Sequence, residues 1–132
     1  HQQKLQMASV LDSSSWQPHE GCRVEIDWFH RGSFDKKGFV LRLEKSELIV
    51  VSDDGLKNRV HDSNVRPSEL DGEAFLAAAA QGVYKAVDQF LMENEFDKVK
   101  DGVLDKSTGE SALHKACAGG HARVAARLAA AE

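Results

Sequence analysis

Cysteine, proline, aromatic residues and long apolar segments are all scarce in this sequence of 132 residues. The two cysteines, Cys22 and Cys117, are too few and too far apart for the disulfide framework of a small secreted domain. The longest apolar run, residues 75–80, is far shorter than a membrane-spanning helix, and residues 1–6 lack the apolar core of a signal peptide. We therefore expect an intracellular protein, of the nucleus or the cytoplasm, with no membrane partner.

Charge of one sign is not concentrated anywhere in the chain. The sequence has 17 basic and 21 acidic side chains, a formal net charge of −4. Residues 20–70 carry 9 basic and 10 acidic side chains, and residues 71–132 carry 7 and 10. Nucleic-acid-binding domains usually present a basic patch or stripe. The even distribution therefore argues against nucleic acid and favours a protein or peptide partner.

A catalytic constellation is also missing from the sequence. There is no nucleophile with an adjacent base, no glycine-rich phosphate loop and no metal cluster. His30 and His61 are isolated and are more typical of surface or turn residues than of a general base. The sequence therefore predicts a protein that is not an enzyme and that needs no cofactor.

What the sequence does contain is a change of hydrophobic period near residue 70. Residues 23–28 alternate polar and apolar, Phe39, Leu41 and Leu43 continue the alternation, and residues 48–51 form a β-branched run before a turn over 53–55. This pattern predicts strands. Helix formers dominate from residue 71 onward, which predicts an α+β chain of several modules.

Local signals predict where the helices begin and end. Asp71 is placed to cap a first helix that Gly82 ends, and a second helix follows over residues 83–93. Ser111 is placed to cap a third helix, and a fourth follows the glycine pair 119–120. We expect a tag remnant and flexible lead-in over 1–15, a strand module over 16–67, a linker over 68–72 and helical repeats over 73–132.

The strand module resembles a Tudor-like or Agenet-like domain, which is a small five-stranded SH3-like barrel; chromo-like and KOW-like barrels are the main rivals. The resemblance lies in the Asp-Asp-Gly turn at 53–55 and in the ending Val65-Arg66-Pro67. It implies a methyl-lysine or methyl-arginine pocket with aromatic walls and acidic neighbours. The candidate pocket residues are Trp28, Phe29, Phe34, Asp53 and Asp54. Ser52 departs from the caged pattern, which often has an aromatic residue before this turn. Two alternatives stay open: Trp28 and Phe39 are core residues and Phe34 covers a loop, or the module has another kind of peptide groove.

Two helix–turn–helix units, 73–104 and 105–132, form an internal repeat and resemble ankyrin repeats. The second unit carries most of the family motif, at Gly109, Ser111, Leu113, His114, Gly120 and His121. The spacing between the two units is longer than the usual ankyrin period, and we expect the extra residues in a longer loop over 95–104. Because ankyrin arrays need about three repeats or more, the resemblance implies a truncated array whose first unit the barrel caps by packing on it.

The group His114, Cys117 and His121 has a spacing that suggests zinc, but no fourth ligand is evident. The ankyrin resemblance implies instead that His114 bonds around a helix start, Cys117 packs in the core and His121 starts the next helix. We therefore predict no metal site.

Three functions remain open. The first is a protein-interaction scaffold, the second a reader of methylated lysine or arginine, and the third the partner-recruiting region of an enzyme, such as a ubiquitin ligase, whose catalytic domain lies outside this chain. The oligomeric state is left open.

Overall fold

The computed structural model describes residues 16–94 and 103–130 and has an α+β architecture in which five strands precede four helices. This order confirms the strand-to-helix change predicted near residue 70. The strands are β1 Arg23–Ile26, β2 Lys36–Glu44, β3 Glu47–Ser52, β4 Lys57–His61 and, after a 3-10 turn at Asp62–Asn64, β5 Val65–Pro67. The helices are α1 Gly72–Gln81, α2 Tyr84–Glu93, α3 Ala112–Ala118 and α4 Ala122–Ala129.

The strands form one antiparallel sheet in the order β4-β3-β2-β1-β5. The turn predicted at residues 53–55 is present, with Gly55 at a φ of 91°. The sheet is not closed into a barrel, because β4 and β5 lie at its opposite ends and the three-residue β5 pairs with β1 alone. The closed barrel expected from the sequence is corrected to an open sheet.

The predicted alternation along β2 is also interrupted. The pairing of β2 with β3 shifts register between Val40 and Arg42, as in a β-bulge. Phe39, before the register shift, is fully buried, whereas Leu43, beyond it, is 47% exposed. The alternation predicted through Phe39, Leu41 and Leu43 therefore does not extend beyond the bulge to Leu43.

Both faces of the sheet are covered in part. One face carries a small core made only of residues from the strand module, with Trp16 and Trp28 at its edge. Phe39 and Val51 belong to a second core, which continues into all four helices. The strand module thus packs on the helices as expected, and one apolar core spans the two modules.

The four helices form two stacked hairpins. α1 contacts α2 and α3, while α4 contacts α3 and α2. Phe75 of α1 and Phe90 of α2 stack with ring centroids 4.6 Å apart. Asp71 caps α1 and Gly82 ends it in a left-handed conformation with a φ of 73°, as the sequence predicted. α1 begins at Gly72, the last residue of the predicted linker over 68–72.

Between residues 16 and 94 and between 103 and 130, no helix is long and apolar enough to cross a membrane. The loop predicted over 95–104 lies mostly outside the described residues, as do the predicted lead-in over 1–15 and the last two residues.

Candidate functional site

An open groove of about 800 Å³ lies where the strand module, α1 and the loop before α3 meet. Asp53 of the β3–β4 turn is at one edge, the start of α1 is at another, and residues 103–107 form the third. Its apolar lining consists of Leu76, Ala77, Ala80, Val103 and Leu104. Ligand sites have this combination of a concave shape, apolar lining and a few polar groups at the edge.

The loop wall of the groove is held by polar contacts of Asp105. The Asp105 carboxylate accepts hydrogen bonds from the Ser107 backbone at 2.8 Å and from its hydroxyl at 2.7 Å, and it pairs with Lys115 Nζ at 2.7 Å. The pKa of the Asp105 carboxyl lies well below its ordinary value, first because of the hydrogen bond from Lys115 and next because of those from Ser107. Asp105 therefore stays ionised and keeps the loop tied to α3.

The helix wall of the groove carries two further carboxylates. Asp71 accepts a hydrogen bond from the Ala74 backbone at 2.9 Å, which satisfies one free N–H of the helix start. Glu73 lies exposed in the first turn. Within residues 16–94 and 103–130, no lysine or arginine pairs with either carboxylate. This wall therefore presents negative charge that the described residues leave uncompensated.

The sheet-side edge of the groove is fixed by Arg23 and Asp53. The Arg23 side chain is only 3% exposed and forms two hydrogen bonds with the Asp53 carboxylate, at 2.5 and 2.9 Å. Its guanidinium also lies 4.9 Å from the centre of the Phe39 ring. The backbone carbonyl of Asp53 accepts a hydrogen bond from Gln81 Nε2 at 2.9 Å. Asp53 thereby joins the strand module to α1.

The three aromatic residues of the predicted pocket each lie against a cation of this same chain. Lys36 Nζ is 5.5 Å from the ring centre of Trp28, Arg31 is 4.6 Å from that of Phe29, and Arg66 is 4.7 Å from that of Phe34. Trp28 and Phe34 are half-buried, while Phe29 is 59% exposed. The interpretation of Trp28 as a core residue is correct only in part, because it packs at the edge of the smaller core.

The two candidate acids at 53 and 54 have different partners. Asp53 binds Arg23, whereas Asp54 accepts a hydrogen bond from the Ser52 hydroxyl and lies 3.6 Å from Lys36 Nζ. The Ser52 hydrogen bond first, and the charge of Lys36 after it, lower the pKa of Asp54. The structure thus brings Trp28 and Asp54 together around Lys36 and directs Asp53 to Arg23.

The residues that carried the ankyrin resemblance lie in and around α3 and at the start of α4. Ser111 and His114 form a reciprocal capping box at the start of α3. His121 immediately precedes α4, and its Nε2 donates to the Ala80 carbonyl at 2.9 Å, which ties the second helix hairpin to the first.

The remaining motif positions define the turns and the packing around α3. Gly109 and Gly120 have φ values of 76° and 74°, and Leu113 packs against the larger core. Cys117 is a correction: it is exposed, because the buried side of the short helix α3 is formed by Ala112 and Ala116.

Two parts of this geometry were missed at the level of sequence. The groove joins residues 53, 71–80 and 103–115, and no short-range pattern links them. The position of Lys36 beside Trp28 was missed as well. Ile26 of β1 pairs with Lys36 of β2, which places Lys36 near the end of β1 and so near Trp28. Pairing the two alternating segments with each other was the signal that could have indicated this contact.

In the described ranges, 16–94 and 103–130, no three His, Cys, Asp or Glu side chains are grouped so that they could hold a metal ion. Comparisons with protein-family models, with curated proteins and with solved structures find no significant match to this chain.

Proposed function

We propose that this chain is a non-catalytic protein-interaction module, in which a Tudor-like, SH3-like strand module and two ankyrin-like helix hairpins together bind a peptide segment of a partner protein. The observation that carries the proposal is the groove of about 800 Å³, because three separate parts of the chain form its walls. Its edges are held by the Arg23–Asp53 and Lys115–Asp105 ion pairs. Walls that are already ordered lower the entropic cost of binding.

Two features support the assignment to these fold families. The strand order places β1 between β2 and β5, and a 3-10 turn separates β4 from β5. The two helix hairpins repeat the same local devices, with a side-chain cap at Asp71 and at Ser111 and a left-handed glycine at 82 and at 120. Stacked hairpins of one repeat family share such helix caps and helix-ending glycines at corresponding positions.

A selection from a displayed library of random peptides tests the proposed function. We expect peptides that bind saturably and that lose affinity when Leu104, which is 50% exposed at the groove, is changed by L104A. The matched control is L43A, since Leu43 is 47% exposed on β2 and does not line the groove. A library that yields no binder, or binders equally weakened by both substitutions, would contradict the proposal.

A second candidate function is reading of methylated lysine, and the position of Lys36 favours it. Lys36 Nζ lies near the Trp28 ring and near the Asp54 carboxylate, so this corner already accommodates a lysine ammonium. An external methyl-lysine would have to displace Lys36. In a W16F background, where Trp28 is the remaining tryptophan, K36Q should strengthen the fluorescence response to a trimethyl-lysine peptide. No saturable response up to millimolar peptide, with or without K36Q, would eliminate this candidate.

A further inference from the structure

The charges around the groove are unequal in sign. Among the residues that the structure describes, four carboxylates line it, those of Asp53, Asp71, Glu73 and Asp105, against two ammonium groups, those of Lys106 and Lys115. The described part of the groove lining is therefore negative. Electrostatic complementarity of this kind selects partners and steers their approach.

Internal ion pairs account for only part of this charge. Arg23 compensates Asp53. Lys115 pairs with Asp105 at 2.7 Å and lies 3.8 Å from Glu110, so its single charge already faces two carboxylates. Asp71 and Glu73 have no cationic partner in the described parts of the chain, and Lys106 is the remaining basic group at the edge. The uncompensated negative charge is thus concentrated at the start of α1.

The positive end of a helix dipole ordinarily favours an anion at such a position. Here the first turn already contains its own anions. The Asp71 carboxylate accepts the Ala74 N–H, and Glu73 adds a second negative charge in the same turn. An acidic or phosphorylated ligand would face both carboxylates, so a cationic ligand group fits this wall better.

We infer that the groove binds a basic segment of a partner protein, in which a lysine or arginine lies next to an apolar residue. The cationic group would face Asp71 and Glu73. Its methylene stem and the apolar neighbour would contact Leu76 and Leu104, since long basic side chains bury their stems while the charged head stays hydrated. This inference rests on the proposed function and specifies its partner class.

The test uses synthetic, fluorescently labelled versions of peptides selected from the random library and measures their affinity by fluorescence anisotropy. We expect lysine and arginine to be enriched over aspartate and glutamate among the selected peptides. E73K should weaken their binding by about tenfold or more, because it reverses the charge that faces the ligand. E93K is the matched control, since Glu93 lies exposed at the end of α2, does not line the groove and undergoes the same charge change. It should alter the affinity less than about twofold, with E73Q intermediate.

The outcomes separate the inference from the proposed function. Peptides without basic enrichment that still lose affinity with L104A would overturn the basic partner and leave the interaction module standing. Basic peptides weakened equally by E73K and E93K would reveal attraction to net charge alone and would also overturn the inference. A selection without binders would contradict both. Circular dichroism of each variant establishes that it is folded before affinities are compared.

Discussion

The predicted aromatic pocket of the strand module and the start of α1 in the helical module differ in how far their groups already have charged partners within the chain. In the strand module, the rings of Trp28, Phe29 and Phe34 each have a cation of the chain beside them. At the start of α1, by contrast, Asp71 and Glu73 have no cationic partner among the described residues. The residues that resembled a ligand site are thus internally satisfied, while the open site lies where the two modules meet.

This contrast shows that the type of a side chain and its freedom to contact a ligand are two separate indications of function. An aromatic ring next to a basic side chain has part of its cation–π attraction already used within the chain. A ligand must then replace an internal contact, which lowers its net gain. The groove presents fewer diagnostic residues, and Asp53 and Asp105 at its edges are paired within the chain, but Asp71 and Glu73 have no cationic partner among the described residues.

The largest expected effect tests whether the two modules are one cooperative unit. Phe39 is fully buried in the core shared with the helices, so F39A should cost about 3–5 kcal/mol of unfolding free energy. Denaturant unfolding is followed by tryptophan fluorescence, which reports on the strand module, and by helical circular dichroism. We expect both probes to shift together. F29A is the control, because Phe29 is 59% exposed and should change stability little. Two separate transitions in the unchanged protein would disprove a single unit.

A smaller effect distinguishes the neighbouring acids at the sheet-side edge. D53N leaves the nearly buried Arg23 without its counter-charge and should cost about 2 kcal/mol of unfolding free energy. D54N should cost clearly less, since the side chain of Asp54 is 60% exposed and its partner Lys36 is 28% exposed. Urea denaturation of the two variants provides the comparison. Equal losses would mean that the Arg23–Asp53 pair does not fix the junction of the modules.

The next effect concerns the start of α3 beside the groove. S111A removes one half of the capping box with His114 and should cost about 1 kcal/mol of unfolding free energy. S33A is a suitable control, because Ser33 lies exposed in the loop between β1 and β2. Thermal unfolding followed by circular dichroism measures both. A loss no larger for S111A than for S33A would argue against the capping role.

The helical module was the more predictable of the two because its signals are local. Asp71, Gly82 and Ser111 mark helix ends through contacts with residues three or four positions away, so the sequence pattern contains both partners. The strand module depends on pairing between distant segments. The β2 bulge after Val40 and the open edge between β4 and β5 follow from that pairing, and neither has a local sequence signature.

The candidate site was predictable to a lesser degree for the same reason. Arg23 and Asp53 are thirty positions apart, and the groove combines Asp53 with residues 71–80 and 103–115, which are distant from it in the sequence. Cys117 shows a second limit, since a seven-residue helix with small residues gives a weak periodicity. Its inward placement was inferred from a family motif, whereas Ala112 and Ala116 fill the buried side.

The smallest effect compares the two cysteines, one in each module. Cys117 is exposed, whereas Cys22 is buried, and burial raises the pKa of the Cys22 thiol from 9.0 to about 11. Iodoacetamide at mildly alkaline pH should therefore alkylate Cys117 with little change in stability and leave Cys22 unmodified, because the reactive form is the thiolate. Peptide mass spectrometry locates the label. Equal labelling of both thiols would contradict the burial of Cys22.

The Cys22 thiol also predicts a pH dependence with a definite sign. Below pH 9 the thiol is protonated in the folded and in the unfolded chain, so Cys22 adds no pH dependence there. Between pH 9 and about 11 the unfolded chain loses this proton first, which favours unfolding and lowers stability as the pH rises. C22A should flatten this decline, whereas C117A should not. Because lysines titrate in the same range, the difference between the two variants, measured as denaturation midpoints at pH 8 and pH 10, isolates the contribution of the buried thiol.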